Sequence, residues 1–139
     1  MIDKKFLDTN VIVYAYDSSA GEKHQLARTL LVEMWDSGAG VISTQVLQEF
    51  FVTVTRKISR PLSTSVTADI ISDFLTWEVI VNDGRDILDA IAVQQKEKIS
   101  FWDALIIASA QKAGCYMLYS EDLNPGQRVN DLTIINPFV

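Results

Sequence analysis

At 139 residues the chain has the length of one domain and enough surface to bury an ordinary core without disulfide or metal staples. Hydrophobic residues make up 48% and charged residues 22%, a globular balance that excludes intrinsic disorder. Eighteen acids against twelve bases leave a net charge of -6, which excludes a simple cationic glove for nucleic acid, and the single cysteine, Cys115, excludes an internal disulfide or a cysteine zinc cage.

The first predicted element is a strand over Lys4–Leu7, followed after Asp8 by an apolar helical turn at Val11–Tyr14. Beyond the break at Ser18–Gly21, Glu22–Asp36 carries Leu26, Leu30, Leu31 and Met34 at helical steps. A short apolar run, Val41–Ser43, reads as the second strand and leads directly into a helix over Gln45–Ile58 with Val46, Phe50, Val54 and Ile58 on one stripe. Thr64–Trp77 repeats the helical pattern with Val66, Ile70, Ile71, Phe74 and Leu75, and Glu78–Val81 reads as the third strand. Asp86–Lys98 places Ile87, Leu88, Ile91 and Ala92 on one face. Phe101–Ala113 is apolar nearly all round, the mark of a buried helix. Tyr116–Tyr119 and Leu132–Ile135 complete the set as strands four and five.

Strands and helices thus alternate, which predicts an α/β fold, a three-layer α/β/α sandwich around a central parallel sheet. No repeat, low-complexity tract or Pro/Gly/Ser linker divides it, so one domain spanning 1–139 is expected. No stretch approaches the roughly 18 apolar residues of a membrane span, and the apolar run between Asp8 and Asp17 is too short for a secretory leader. A cytoplasmic location is expected.

In an open parallel sheet, ligands bind beyond the carboxyl ends of the strands. Four acids are predicted at that edge: Asp8 after strand one, Glu49 in the helix entered from strand two, Asp103 in the first turn of the buried helix, and Asp122 after strand four. Each has a structural alternative. Asp8 suits a helix cap, Ser100-x-x-Asp103 suits a capping box, Glu49 a solvated helix face and Asp122 a turn ahead of Asn124-Pro125-Gly126. Together they point elsewhere. Two unit charges 4 Å apart repel by about 4 kcal/mol at an effective dielectric near 20, and a divalent cation reverses that sign. Oxygen ligands without clustered histidine or cysteine favour Mg²⁺ or Mn²⁺, which bridge to substrate phosphate. The residues themselves therefore predict metal-assisted phosphoryl chemistry.

Phe6-Leu7-Asp8-Thr9-Asn10-Val11, Glu49 ahead of Phe50, Phe101-Trp102-Asp103-Ala104-Leu105-Ile106 and Ser120-Glu121-Asp122-Leu123-Asn124 resemble the acidic motifs of PIN-domain ribonucleases, and most nearly those of VapC-type toxins of bacterial toxin–antitoxin pairs. The resemblance runs from Lys4 to Phe138, with 41, 54 and 19 residues between successive acids. It implies a sheet in the order 3-2-1-4-5 and hydrolysis of RNA phosphodiesters. Asp8, Glu49, Asp103 and Asp122 would be the catalytic set, with Asp8, Asp103 and Asp122 holding Mg²⁺ or Mn²⁺. Asn10 and Ser120 would support them, and Glu121 is an alternative to Asp122. It also implies a small antitoxin partner and a homodimer.

Arg56, Lys57 and Arg60 after the Glu49 helix, Lys96 and Lys98 before Asp103, and Arg128 are the bases available to RNA, with Arg56 and Arg128 the candidate phosphate contacts. Tyr14, Tyr16 and Trp102 are expected to pack in the core, and His24 to lie at the surface. A haloacid-dehalogenase-type phosphatase would need an acid where Asn10 stands, and Gly38-Ala39-Gly40 lacks the Lys-Ser/Thr of a phosphate loop. The remaining alternative is a PIN-like scaffold that binds RNA or protein without cutting.

Overall fold

The computed structural model describes residues 3–139, so Met1 and Ile2 of the expected 1–139 domain lie outside the described residues. The elements are β1 (Lys5–Leu7), α1 (Thr9–Tyr16), α2 (Glu22–Ser37), β2 (Gly40–Ser43), α3 (Thr44–Arg56), α4 (Thr64–Phe74), β3 (Glu78–Ile80), α5 (Gly84–Glu97), α6 (Phe101–Lys112), β4 (Met117–Tyr119), β5 (Arg128–Val129) and β6 (Leu132–Ile135), with a short 3-10 turn at Ser18–Ala20. All expected strands and helices are present, and the turn at Val11–Tyr14 grows into the two-turn helix α1.

The strands form one sheet in the order β3-β2-β1-β4-β6-β5. β3, β2, β1, β4 and β6 run parallel, and β5 pairs antiparallel with β6. Leu132–Ile135, the expected fifth strand, is β6 and lies beside β4 as expected. The departure from the order 3-2-1-4-5 is the added edge strand β5. It is a two-residue arm of a hairpin that turns through Asn130, whose φ of 56° is tolerated by asparagine. Two residues carry no periodicity, so the sequence pattern is silent there.

α1 packs against α2 and α3, and α3 against α4, while α5 and α6 pair with each other. Between them the centre of the sheet is apolar on both faces, with all four residues of β2 buried. Phe6, Leu7, Ile42, Phe50, Phe74, Leu118 and Ile134 form the centre of the core, and Trp35 and Trp77 meet Phe74 edge-on or tilted near 5 Å. α6 behaves as a fully apolar helix should: every residue from Ala104 to Ala110 is buried.

Two glycines serve this packing. Gly38 ends α2 with φ 70°, the left-handed turn that lets the chain enter β2. Gly40 lies against the Trp77 ring so closely that a Cβ there would overlap it. Gly40→Ala is expected to destabilise the fold by about 1–3 kcal/mol through overpacking, read as a lower urea midpoint with unchanged slope.

The apolar face expected on α5 is not buried. Ile87 is 45% exposed, Leu88 62% and Ile91 40%, and Ala92 is also exposed. The helix buries Asp86 and Ala90 instead. Its rotation is set at the start: Asp83 and Asp86 cap each other's backbone N–H groups, and Asp86 pairs with Lys112 of α6 at 2.9 Å. That anchoring turns Ala90 toward Ala104 and Ala108, where small residues let α5 and α6 approach closely. Leu26, Val66 and Leu75 are likewise exposed, at the margins of their expected stripes.

Candidate functional site

The site is built at the carboxyl end of β1. The chain leaves the strand at Asp8, which caps α1 by accepting from Thr9 N at 2.7 Å. Its other oxygen accepts from Ser120 Oγ, also at 2.7 Å, just past the end of the neighbouring β4. The expected capping role is therefore present, but it uses only one oxygen. The next residue reaches a different element, Thr9 Oγ1 donating to Glu49 Oε1 of α3 at 2.6 Å. Asn10 turns toward the loop after β4: its Nδ2 donates to Asp122 Oδ2 at 2.9 Å, and its Oδ1 accepts from Glu121 N at 3.3 Å. Asp122 N in turn donates to Ser120 Oγ at 3.2 Å. Three consecutive residues, Asp8-Thr9-Asn10, thus tie together the regions carrying Glu49 and Asp122.

Asp8 is buried, and burial pushes its carboxyl up to about 7 against the hydrogen bonds from Ser120 and Thr9, with the charges of Asp122 and Glu49 raising it further. Asp103 is half-buried in the first turn of α6, where Ser100 Oγ accepts from its backbone N–H at 3.1 Å. Burial raises its carboxyl above the ordinary range against the bond from Ser100, and Asp122 and Glu49 add to the rise. Both buried acids thus feel the same two neighbours, which puts all four within one electrostatic neighbourhood.

Glu121 belongs to a different arrangement. Tyr14 OH donates to it at 2.7 Å and Lys23 pairs with its other oxygen, while the Lys23 ammonium lies over the Tyr14 ring at 5.1 Å. Burial opposes its charge, but the Lys23 and Tyr14 hydrogen bonds outweigh that and hold its carboxyl below the ordinary range. Of the two adjacent acids, Asp122 is the exposed one that faces the site.

Glu49 and Asp122 line a groove of about 630 Å³ whose wall includes Val13, Tyr14 and Val52. Lys57 lies on that wall, whereas its neighbour Arg56 does not line it, and Arg128 stands on the sheet-edge strand β5. Two expectations are corrected by burial. Trp102 is 61% exposed, because it lies on the outer side of the first turn of α6, and His24 is half-buried with Nδ1 donating to the Tyr14 carbonyl at 2.8 Å. Gln45 received no role from the sequence. It is 5% exposed, and its Nε2 donates to Glu49 Oε2 at 3.3 Å and to the Trp102 carbonyl at 3.2 Å. A polar residue one turn before a site acid on the same helix is the only signal that would have marked it.

Among the described residues, no three His, Cys, Asp or Glu side chains form a ready-made chelate. The acids lining the groove, Glu49 and Asp122, offer carboxylate oxygens, and the nearby Asp8 and Asp103 are carboxyls that burial and like charge make costly to ionise. That set fits a hard ion held by one or two carboxylates and keeping its own waters, and does not fit a caged soft metal. Among the described residues no helix is long and apolar enough to cross a membrane.

A family model described as "PIN domain" matches residues 5–129. No curated protein matches the chain by sequence. Several solved structures match it in fold. A toxin–antitoxin complex from Klebsiella pneumoniae has TM-score 0.72 at 18% identity, covering 96% of this chain and 98% of that one. A sarcin–ricin-loop-cleaving VapC toxin from Mycobacterium tuberculosis has TM-score 0.65 at 21% identity, covering 86% and 90%. DNA-bound VapBC from Salmonella typhimurium has TM-score 0.67 at 16% identity, covering 96% and 97%. At these identities the likeness is one of fold.

Proposed function

Since the chain belongs to the PIN-domain family, we propose that it is a divalent-ion-dependent endoribonuclease that hydrolyses RNA phosphodiester bonds, and the toxin of a type II toxin–antitoxin pair. One observation carries the reading: a buried acid, Asp8, whose next two residues, Thr9 and Asn10, hydrogen-bond Glu49 and Asp122, the two acids that line the groove, and whose ionisation is opposed by burial and by those two charges. Such an arrangement is unfavourable by itself and favourable beside a dication. Asp8, Asp103 and Asp122 are the acids of which one or two at a time would hold Mg²⁺ or Mn²⁺ directly, the others acting through its waters, and the ion when bound would neutralise phosphate charge and make a water easier to deprotonate.

The chain's own groups do the rest. Glu49, held at one oxygen by Thr9 and at the other by Gln45, would orient the attacking water and take its proton. Ser120 keeps Asp8 aimed, and Asn10 does the same for Asp122. Water attacks phosphorus as its proton passes to the Glu49 carboxylate, the bond to the leaving oxygen breaks, and that oxygen takes a proton from solvent to leave as a hydroxyl. Lys57 on the groove wall is a cation placed for a flanking phosphate, with Arg56 beside it and Arg128 on β5 the further candidates. Residues 1–139 are read as one domain, and action on cellular RNA assigns it to the cytoplasm.

The partner reading rests on the structural neighbours, among them a toxin–antitoxin complex and DNA-bound VapBC. Next to the acidic groove, and sharing Gln48 and Val52 with it, lies an apolar depression walled by Leu47, Phe51 and Ile71. A small antitoxin presenting an apolar segment and an arginine matches that pairing of surfaces. The homodimer implied by the resemblance would find apolar surface at Ile87, Leu88 and Ile91 of α5.

The test is incubation with a panel of structured RNAs in Mg²⁺ or Mn²⁺, comparing wild type with Asp103→Asn. Cleavage by wild type, reduced on the order of 10²–10⁴-fold in the variant, supports the enzyme. Binding without cutting, equal in both proteins, supports the scaffold instead.

A further inference from the structure

Gln45 is a poor choice for stability where it stands. Its side chain is 5% exposed, and Oε1 has no hydrogen-bond partner. Rotating the amide by 180° cannot relieve this. Nε2 already faces two acceptors, Glu49 Oε2 and the Trp102 carbonyl, and placing Oε1 there would oppose oxygen to oxygen at 3.2–3.3 Å. The amide orientation is fixed by those acceptors, and the buried carbonyl is its consequence. An apolar side chain of the same length would avoid the penalty.

What the amide does is specific. Glu49 is gripped at Oε1 by Thr9 Oγ1 from the β1–α1 junction and at Oε2 by Gln45. The second acceptor, the Trp102 carbonyl, belongs to the residue before Asp103. One NH₂ group therefore spans from the first turn of α3 to the first turn of α6, and its two hydrogens are divided between the helices that carry Glu49 and Asp103. We propose that Gln45 is a positioning residue, which fixes the Glu49 carboxylate and sets its separation from the Asp103 turn through the divided amide. The proposal rests on the nuclease reading for its kinetic consequence but not for its geometry.

The test uses the full chain with Gln45→Met, which keeps length and volume and removes both hydrogen bonds and the unpaired oxygen. In chelator, the melting midpoint is expected to equal or exceed that of wild type. With Mg²⁺ and RNA, kcat is expected to fall about 10–100-fold with KM within about 2-fold, and Mn²⁺ affinity by calorimetry to weaken over a similar range. In a Glu49→Gln background the same change is expected to cost less kcat than in wild type, since part of its effect passes through Glu49. A Gln45→Met protein with wild-type kcat and Mn²⁺ affinity overturns the proposal. So does one whose midpoint and activity fall together, which marks a packing role. A wild type that binds Mn²⁺ but cuts no RNA overturns the nuclease reading alone, leaving the Mn²⁺ comparison to judge Gln45. A wild type that does neither overturns both.

Discussion

Asp8→Asn will stabilise the ion-free protein at pH 7 while ending its activity, and the two effects share one cause. Burial, assisted by Asp122 and Glu49, lifts the Asp8 carboxyl from 3.8 to about 7 in the folded chain. The unfolded chain therefore releases this proton first as pH rises, and the folded state loses stability across the interval. The contribution is complete below about pH 3.8, declines from there to about pH 7, and is flat above. At 1.36 kcal/mol per pH unit the loss amounts to about 4 kcal/mol. Asparagine keeps the shape, still caps α1 through its carbonyl oxygen, and can donate to Ser120 Oγ, so it removes the titration and little else. Urea unfolding in chelator at intervals from pH 4 to pH 8 should show wild type falling more steeply than the variant, which keeps only the fall that Asp103 contributes. Curves that run parallel would mean that Asp8 is not the group whose ionisation the fold opposes. In the RNA assay, the same variant should lose on the order of 10²–10⁴-fold.

Removing divalent ions is the second large effect. With chelator present, RNA cleavage by wild type should fall by at least about 10³-fold and return on adding excess Mg²⁺ or Mn²⁺. Binding should also register without any substrate. An ion present at about 100 times its Kd stabilises the folded chain by about 2.7 kcal/mol. That gain should shrink in Asp8→Asn, where the carboxylate has been removed. A midpoint indifferent to Mg²⁺ and Mn²⁺ in wild type would count against the ion altogether.

The acids were legible because a parallel sheet imposes a rule on the chain. Whatever follows the carboxyl ends of β1 and β4 is delivered to one edge, so Asp8 and Asp122 could be placed from the strand pattern alone. Helix phase was not legible in the same way. On α5 the apolar residues mark a face, but the rotation was decided by Asp86 and Lys112, a pairing between helices that no local period encodes. Arg56 and Lys57 show the same limit at finer scale. α3 ends at Arg56 and Lys57 is its C-cap, so where the chain leaves the helix, which no local period encodes, is what brings Lys57 onto the groove wall. Gln45 was hidden for a related reason. Its two acceptors are 4 and 57 residues away, and the second is a backbone carbonyl, to which every residue type contributes equally.

The placement of β4 beside β1 has a consequence for the order in which the ribosome delivers the parts. Until residues 117–120 have emerged, the central strand lacks one neighbour and Asp8 lacks the hydroxyl that aims it. Asn10 and Asp122 are separated by 112 positions and cannot meet before residue 122 has left the ribosome. A nascent chain of this design cannot assemble this edge of the sheet until the segment after β4 has been made, however early β1 and α1 take shape.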